Sequence, residues 1–188
     1  MPLLVLGTLL TWAAFEFWLL LRDRAARAGS TERDRGTRTM LVLAWLVAVA
    51  TAELAAGTWR TRPVAALGAW SLPAGLAVMW AGVALRVWAV TVLGSAFRTT
   101  VQVDAGQVVV DRGPYRFVRH PSYTGLMIVA VGTGLALGSW LSLAALALLP
   151  LAALLRRIAV EEAALAEVLG QPYLTYTERT KRLVPGIW

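Results

Sequence analysis

Five long apolar runs divide the chain and limit the folds that it can adopt. A helix of about 20 apolar residues is long enough to cross a hydrocarbon core of roughly 30 Å. We predict transmembrane helices over about residues 2–21, 40–57, 74–97, 122–137 and 140–158. The expected fold class is therefore all-α integral membrane, with five transmembrane helices in a single membrane domain that covers residues 1–188.

The composition supports this class and excludes several kinds of site. Hydrophobic residues make up 58% of the chain and charged residues only 15%, which is too apolar for a soluble domain of 188 residues. The chain lacks cysteine, so disulfides, thiol catalysis and thiolate metal sites are excluded. Because His120 is the single histidine, a multi-histidine site is excluded too, and we predict no metal.

The basic residues are distributed asymmetrically between the two ends of the predicted helices. Of the 18 Lys and Arg residues, 15 lie near or after the ends of the first, third and fifth runs: six in residues 22–38, which we expect to form a solvated basic loop, four in residues 98–119 and five in residues 156–182. Two (Arg60 and Arg62) follow the second run, and Arg86 lies within the third. Since positive charge collects on the cytoplasmic side, we expect the N-terminus outside and the C-terminus inside. The net charge of +7 then reflects membrane topology, and we expect no nucleic-acid binding. No positive charge precedes the first run, so we expect it to be retained. The alanine- and arginine-rich composition indicates the cell membrane of a prokaryote.

One segment, residues 112–125, concentrates the polar chemistry of the chain. It contains the histidine, three arginines and two tyrosines. Pro121 fits the first position of a helix, whose free N–H groups and positive dipole end would face Arg116, Arg119 and His120. Such a helix start suits carboxylates or phosphates, so we predict the mouth of a ligand site. The preceding residues, with β-branched runs around Asp104-Ala105-Gly106, predict a small hairpin or extended loop.

The second half of the chain also contains turn signals. Gly138-Ser139 leaves room only for a tight turn, so the last two transmembrane helices should form a helical hairpin. The glycine-rich fourth run should let a neighbouring helix approach closely. We expect the last helix to continue to Gly170, a short surface helix over residues 171–179 and an extended tail over residues 181–188.

Arg157 and Glu161 are four residues apart and would share one face of a helix. Either Arg157 binds an anionic substrate group while Glu161 contacts a cofactor, or the two form an ion pair on a solvated helix end. Spacing alone favours the ion pair. His120 could be a general base, a ligand-binding donor or a helix-start residue that faces water. Tyr115 and Tyr123 fit interfacial aromatic residues on composition alone.

Two charges lie inside predicted transmembrane helices. Glu16 and Arg86 occur at similar depths of the first and third runs, which cross in the same direction. An isolated charge in the bilayer is costly, so we predict that Arg86 and Glu16 contact each other. The alternative is that the Arg86 side chain extends to the interface.

Several motifs in the second half of the chain together resemble the isoprenylcysteine carboxyl methyltransferase family. They comprise Gly113-Pro114-Tyr115, Arg119-His120-Pro121-Ser122-Tyr123-Thr124-Gly125, the spacing from Arg157 to Glu161-Glu162, and Leu169-Gly170 with Tyr173, Tyr176, Arg179 and Leu183-Val184-Pro185-Gly186. The Arg-His-Pro-x-Tyr-x-Gly part alone is shared with phospholipid methyltransferases and sterol reductases. The acidic pair Glu161-Glu162 looks more like the methyltransferases.

The resemblance implies a membrane enzyme that uses S-adenosylmethionine and releases S-adenosylhomocysteine. Its cofactor-binding region would consist of residues 98–123 and 156–188, on the cytoplasmic side. The positions that match cofactor-contacting residues of the family are Gln102, Gln107, Val108, Val109, Val110, Tyr115, His120, Pro121, Ser122, Tyr123 and Glu161. Arg157 matches a substrate-contacting position and is the expected catalytic residue. The implied partners are membrane lipids and a lipid or prenylated acceptor, such as a prenylated cysteine or a similar lipid-borne acid.

Three other functions remain open at this point. A methyltransferase of the same build could act on a lipid amine, although Arg157 would be a poor partner for a cationic head group. An NADPH-dependent reductase of isoprenoid or sterol double bonds would need basic residues for a second phosphate, which Glu161-Glu162 disfavours. A membrane scaffold without catalytic activity is the remaining alternative.

Overall fold

The computed structural model describes residues 3–25, 34, 36–58, 68–99 and 108–188, and all regular elements within these ranges are helical. The α-helices are α1 (Leu3–Ala25), α2 (Thr37–Thr58), α3 (Ser71–Leu93), α4 (Pro121–Leu137), α5 (Trp140–Leu169) and α6 (Gln171–Arg179). Short 3₁₀ turns occupy Gly68–Trp70, Gly94–Ala96 and Gly113–Arg116. The all-α expectation is confirmed for the described residues. The predicted hairpin around Asp104-Ala105-Gly106 lies outside them.

Four of these helices, α1, α2, α3 and α5, are long and apolar enough to cross a membrane. Their outer surfaces carry large apolar side chains that a soluble protein would bury, including Leu10, Leu46, Trp80 and Leu148. The fifth predicted run forms α4, which has only 17 residues. The protein is therefore an integral membrane protein with four candidate spans.

Glycines bring α3 and α4 into close contact, as the glycine-rich fourth run predicted. A Cβ atom built on Gly125 would lie 2.8 Å from the carbonyl oxygen of Gly82, and one on Gly132 would lie 2.6 Å from the backbone nitrogen of Met79. Real Cβ atoms do not approach other atoms so closely, so only glycine fits at these positions. The start of α4, which carries the polar segment, is thus held against α3.

The helix ends follow local chemistry that the sequence partly indicated. Pro121 is the first residue of α4, where its missing N–H costs no hydrogen bond. Gly138, at φ +69°, ends α4, and α5 begins two residues later. Gly170, at φ +60°, ends α5, and α6 follows over the predicted residues 171–179. The third helix ends four residues earlier than predicted because Gly94 adopts φ +59°, which starts the 3₁₀ turn.

The predicted contact between Glu16 and Arg86 is confirmed. Arg86 donates from Nη2 to Glu16 Oε2 over 2.6 Å and from Nε to Glu16 Oε1. Its Nη1 donates to the hydroxyl of Ser122 over 2.5 Å. This buried arginine therefore joins α1 and α3 to the first turn of α4.

The expectation of an extended C-terminal tail is wrong, because residues 181–188 turn back against the start of α4. The backbone N–H of Arg119 donates to the carbonyl of Lys181 over 2.7 Å, and that of His120 donates to the carbonyl of Arg182 over 3.0 Å. The hydroxyl of Thr124 donates to the carbonyl of Leu183 over 2.8 Å. The backbone N–H groups just ahead of α4 need partners, and the tail supplies them.

The segment after α1 was expected to be a solvated basic loop, which is wrong at its C-terminal end. Asp34 is only 5% exposed. Its carboxylate accepts hydrogen bonds from the hydroxyl of Thr37 over 2.8 Å and from the backbone N–H of Arg38 over 3.0 Å. Asp34 thus satisfies free N–H groups at the start of α2, a typical role for aspartate.

Candidate functional site

A cavity lies between the end of α3, the start of α4, the second half of α5, and α6. It is open on one side and has a volume of about 100 Å³. Its floor and walls combine apolar, aromatic and charged side chains. The lining residues are Leu93, Ala96, Phe97, Arg98, Val108, Val109, Val110, Tyr115, Arg119, His120, Ser122, Tyr123, Glu161, Leu165, Leu169, Tyr173 and Tyr176.

Eight of the residues predicted to contact a cofactor line this one cavity: Val108, Val109, Val110, Tyr115, His120, Ser122, Tyr123 and Glu161. Pro121 is buried between two of them as the first residue of α4 and is not part of the lining. Gln102 and Gln107 lie outside the described residues. Arg157, predicted to bind the substrate, lies behind the wall and is 3% exposed.

Tyr123 connects the cavity to Arg157. Its hydroxyl donates to Glu161 Oε2 over 2.5 Å and accepts a hydrogen bond from Arg157 Nε over 2.8 Å. The ion pair between Arg157 and Glu161 that spacing favoured is therefore replaced by a chain of hydrogen bonds through a tyrosine on α4. Arg157 forms its ion pair with Asp34 instead, at 2.9 Å.

The imidazole of His120 is held in place from three sides. It is 5% exposed and stacks on Tyr123, with ring centroids 5.4 Å apart and an angle of 11° between the planes. Its Nε2 lies 3.3 Å from Glu162 Oε1, and its Nδ1 lies 3.9 Å from Glu161 Oε1. The alternative of a helix-start histidine that faces water is thus wrong.

Glu162 joins the polar segment to the C-terminal tail. It accepts hydrogen bonds from Arg119 Nε over 2.9 Å and from Arg182 Nε over 3.0 Å, in addition to its contact with His120. Arg119 also donates to the carbonyls of Thr177 and Thr180 at the end of α6. Glu162 is thereby engaged by its protein partners, whereas the side chain of Glu161 is 28% exposed.

Three tyrosines outside the predicted spans stay neutral near pH 7. Burial raises the pKa of Tyr176 to about 12 and raises the pKa values of Tyr115 and Tyr173 above their usual range. Tyr176 donates its hydroxyl proton to the carbonyl of Tyr115 over 2.6 Å. The hydroxyl oxygen of Tyr173 is buried and has no hydrogen-bond partner among the described residues. A neutral, buried donor of this kind needs a partner, and a ligand in the cavity could supply one.

Several lining residues were not singled out individually from the sequence, including Phe97, Leu165 and Leu169. Tyr173 and Tyr176 entered only as part of the family motif. Their spacing of three residues contained a further signal, because residues three apart share one face of a helix. That face of α6 covers the cavity.

The lining suits a ligand that combines a positive charge with flat or apolar groups. A partly exposed carboxylate, Glu161, lies close to the rings of Tyr115, Tyr123 and Tyr173, and aromatic faces attract cations. Residues 108–110 add apolar side chains to the lining. A second, anionic ligand group would be attracted by Arg157 behind Tyr123.

Comparisons with known proteins agree with the motifs. The model of the isoprenylcysteine carboxyl methyltransferase (ICMT) family matches residues 75–167. Protein-S-isoprenylcysteine O-methyltransferase B of Arabidopsis thaliana is 31% identical over 120 residues, which cover 63% of this chain and 61% of that protein. The protein-S-isoprenylcysteine O-methyltransferase of Tribolium castaneum is 33% identical over 120 residues, 63% of this chain and 43% of that protein.

The fold is similar to a solved structure of the same family. The eukaryotic intramembrane Ras methyltransferase ICMT superposes with a TM-score of 0.71 at 26% identity, covering 96% of this chain and 66% of that chain. The resemblance to the ICMT family is confirmed in sequence and in fold. The chain spans about 40 to 60% of the length of the two curated relatives described above.

Proposed function

From its resemblance to the ICMT family and the geometry of the cavity, we infer that this chain is an S-adenosylmethionine-dependent carboxyl O-methyltransferase. Its acceptor is the carboxylate of a prenylated cysteine or of a similar lipid-borne acid. The observation that supports this most strongly is the hydrogen-bonded chain from Glu161 through Tyr123 to Arg157. This chain of hydrogen bonds connects the cavity, which suits a cation, with the guanidinium of Arg157, which suits a carboxylate.

The residues of the cavity fit S-adenosylmethionine, which supplies an electrophilic methyl group on a positively charged sulfur. Glu161 and the rings of Tyr115 and Tyr123 would stabilise that charge. The hydroxyl of Tyr173, which has no hydrogen-bond partner among the described residues, would be available to a polar group of the cofactor. The remaining proposed contacts are Val108, Val109, Val110, His120, Pro121 and Ser122, together with Gln102 and Gln107.

The acceptor carboxylate is already ionised at neutral pH and needs no general base. The donor would supply its methyl group to one carboxylate oxygen, the carbon–sulfur bond would break as the carbon–oxygen bond forms, and the bonding electron pair would stay on sulfur. The products are a methyl ester and a neutral thioether, and no proton has to move. Arg157 acts by holding and orienting the acceptor, since a guanidinium stays charged and its planar fork matches a carboxylate.

In this reaction the protein supplies position and exclusion of water more than acid–base chemistry. His120 is then a binding residue rather than a base. Its ring, fixed by Glu162 and stacked on Tyr123, supports the wall against which the donor would lie. The cover formed by residues 108–110 and α6 would limit access of water to the methyl group.

The proposed membrane arrangement has five crossings, with α4 as the short fourth one and α4 and α5 as a helical hairpin. The N-terminus lies outside, and the cofactor-binding region, residues 98–123 and 156–188, lies on the cytoplasmic side of a prokaryotic cell membrane. Residues 1–188 form a single membrane domain. The lipid part of the acceptor enters sideways from the bilayer, with α4 as one wall.

A transfer assay on the full-length protein in detergent or nanodiscs tests this function. The assay follows labelled methyl from S-adenosylmethionine to N-acetyl-S-farnesylcysteine, and we expect a base-labile methyl ester. The carboxamide of the same compound is the matched control and should accept no methyl. Label appearing on a phosphatidylethanolamine amine but not on the acid would instead support a lipid-amine methyltransferase.

A further inference from the structure

The guanidinium of Arg157 is enclosed by four partners from three separate parts of the chain. These partners are the hydroxyl of Tyr123 at 2.8 Å, Asp34 Oδ1 at 2.9 Å, the hydroxyl of Thr37 at 3.3 Å and the carbonyl of Thr99 at 2.8 Å. Arg157 and Asp34 are 3% and 5% exposed. An acceptor can therefore reach the guanidinium only if one of these partners moves.

Asp34 is the partner that a carboxylate acceptor would replace. Thr37, Thr99 and Tyr123 offer neutral oxygens, whereas Asp34 offers the same chemical group as the acceptor. Two carboxylates beside one buried guanidinium would repel each other. Binding of the acid and pairing of Asp34 with Arg157 are thus mutually exclusive.

We propose that Asp34 is a specificity-determining residue whose carboxylate occupies Arg157 between turnovers and gives way to the carboxylate of the acceptor. This inference rests on the proposed function, because it takes Arg157 as the group that binds the acceptor. Asp34 returns to Arg157 after methyl transfer, since the methyl ester is uncharged and competes poorly for a guanidinium. The residue therefore weakens binding of the acid and favours release of the ester.

Asp34 also caps α2, and the test has to separate this role from its charge. Asparagine caps helices about as well as aspartate does, so Asp34→Asn removes the charge and retains a side-chain acceptor for Arg38. Asp34→Ser is a second neutral variant that can also cap the helix. A structural effect would appear in both variants as a lower unfolding temperature.

The experiment measures steady-state kinetics with N-acetyl-S-farnesylcysteine and S-adenosylmethionine for the wild-type protein and both variants. We expect KM for the acid to fall at least fivefold in Asp34→Asn, and in Asp34→Ser if the first variant does not fold. KM for S-adenosylmethionine should stay within twofold. If Asp34 merely orients Arg157, KM for the acid will rise; an unchanged or higher KM overturns the inference.

Glu53→Gln is the matched control, because it neutralises a carboxylate on α2, the helix that Asp34 caps. Glu53 is 16 residues from Thr37, the first residue of α2, and so lies roughly 24 Å away along the helix. Its KM for the acid should equal that of the wild-type protein. Absence of methyl transfer to the acid by the wild-type protein would refute the proposed function and this inference together. Transfer by the wild-type protein without a lower KM in the neutral Asp34 variants would refute the inference alone.

Discussion

Glu161 and Glu162, adjacent on α5, lie on different sides of the His120 imidazole. Glu161 Oε1 is 3.9 Å from Nδ1, and Glu162 Oε1 is 3.3 Å from Nε2. Glu162 is further paired with two arginines, whereas Glu161 bonds Tyr123 and remains partly exposed to the cavity. The two carboxylates therefore have different roles, and substitutions of Glu161 and Glu162 should have different effects.

Replacing Glu162 should mainly affect stability and the shape of the site. Glu162→Gln removes the carboxylate that Arg119 and Arg182 share and loosens the tail against α4. Hydrogen bonds to charged groups contribute about 1.5–3 kcal/mol each, so we expect a clear drop in unfolding temperature. Thermal unfolding in detergent measures this drop. Glu167→Gln, an equivalent change on the same helix, is the control, and an equal loss in both variants would contradict the assigned role.

Tyr123→Phe should impair catalysis more than it impairs folding. The ring and its stacking on His120 remain, but Glu161 and Arg157 lose the hydroxyl between them. Loss of a hydrogen bond to charged groups, at about 1.5–3 kcal/mol, predicts roughly a 10- to 100-fold fall in kcat/KM for the acid. Thr91→Val removes a hydroxyl that bonds within its own helix and serves as control. Wild-type kinetics in Tyr123→Phe would show that this chain of hydrogen bonds is unimportant.

The close approach of α3 and α4 predicts a large effect of one added methyl group. In Gly125→Ala the new Cβ would lie 2.8 Å from Gly82 O and 2.9 Å from the Cβ of Arg86. Overpacking of this kind costs about 1–3 kcal/mol and should also displace His120 and Tyr123 at the start of α4. Gly7→Ala, which meets no atom within 4 Å, is the matched control. Equal unfolding temperatures for the two variants would be inconsistent with the packing.

The Glu16–Arg86 pair should be necessary for the stability of the bundle. Glu16→Ala leaves a buried guanidinium with Ser122 but without its charged partner, which costs about 3–5 kcal/mol for a buried pair. We expect reduced yield and a lower unfolding temperature. The double variant Glu16→Leu, Arg86→Leu removes both charges and should recover part of the loss. Normal yield and stability of Glu16→Ala would argue against the pair.

Local sequence signals predicted the helices and several of their ends. The start of α4 at Pro121 and the end of α5 at Gly170 were predicted correctly. Proline itself lacks the N–H, and glycine itself permits a positive φ. The Glu16–Arg86 contact was predictable because matched depth in a membrane restricts which charges can meet. These features depend on periodicity, composition and single-residue conformational preference.

Other features depend on tertiary contacts that leave no periodic signal. Asp34 and Arg157 are 123 residues apart, and Asp34 lies among arginines that indicated a solvated loop. The tail turns back because the backbone N–H groups of Arg119 and His120 donate hydrogen bonds to its carbonyls, and no side-chain pattern indicates such bonds. The ion pair expected between Arg157 and Glu161 was displaced because Tyr123 comes between them from another helix.

The proposed function requires that the cavity beside Glu161 bind a sulfonium donor, and calorimetric titration measures that binding. The titration compares S-adenosylmethionine with S-adenosylhomocysteine, which lacks the positive charge on sulfur, on the wild-type protein, Glu161→Gln and the control Glu167→Gln. We predict that Glu161→Gln weakens binding of S-adenosylmethionine about tenfold and binding of S-adenosylhomocysteine much less. Failure of the wild-type protein to bind either compound, or equal affinities in Glu161→Gln and the wild-type protein, would contradict the claim.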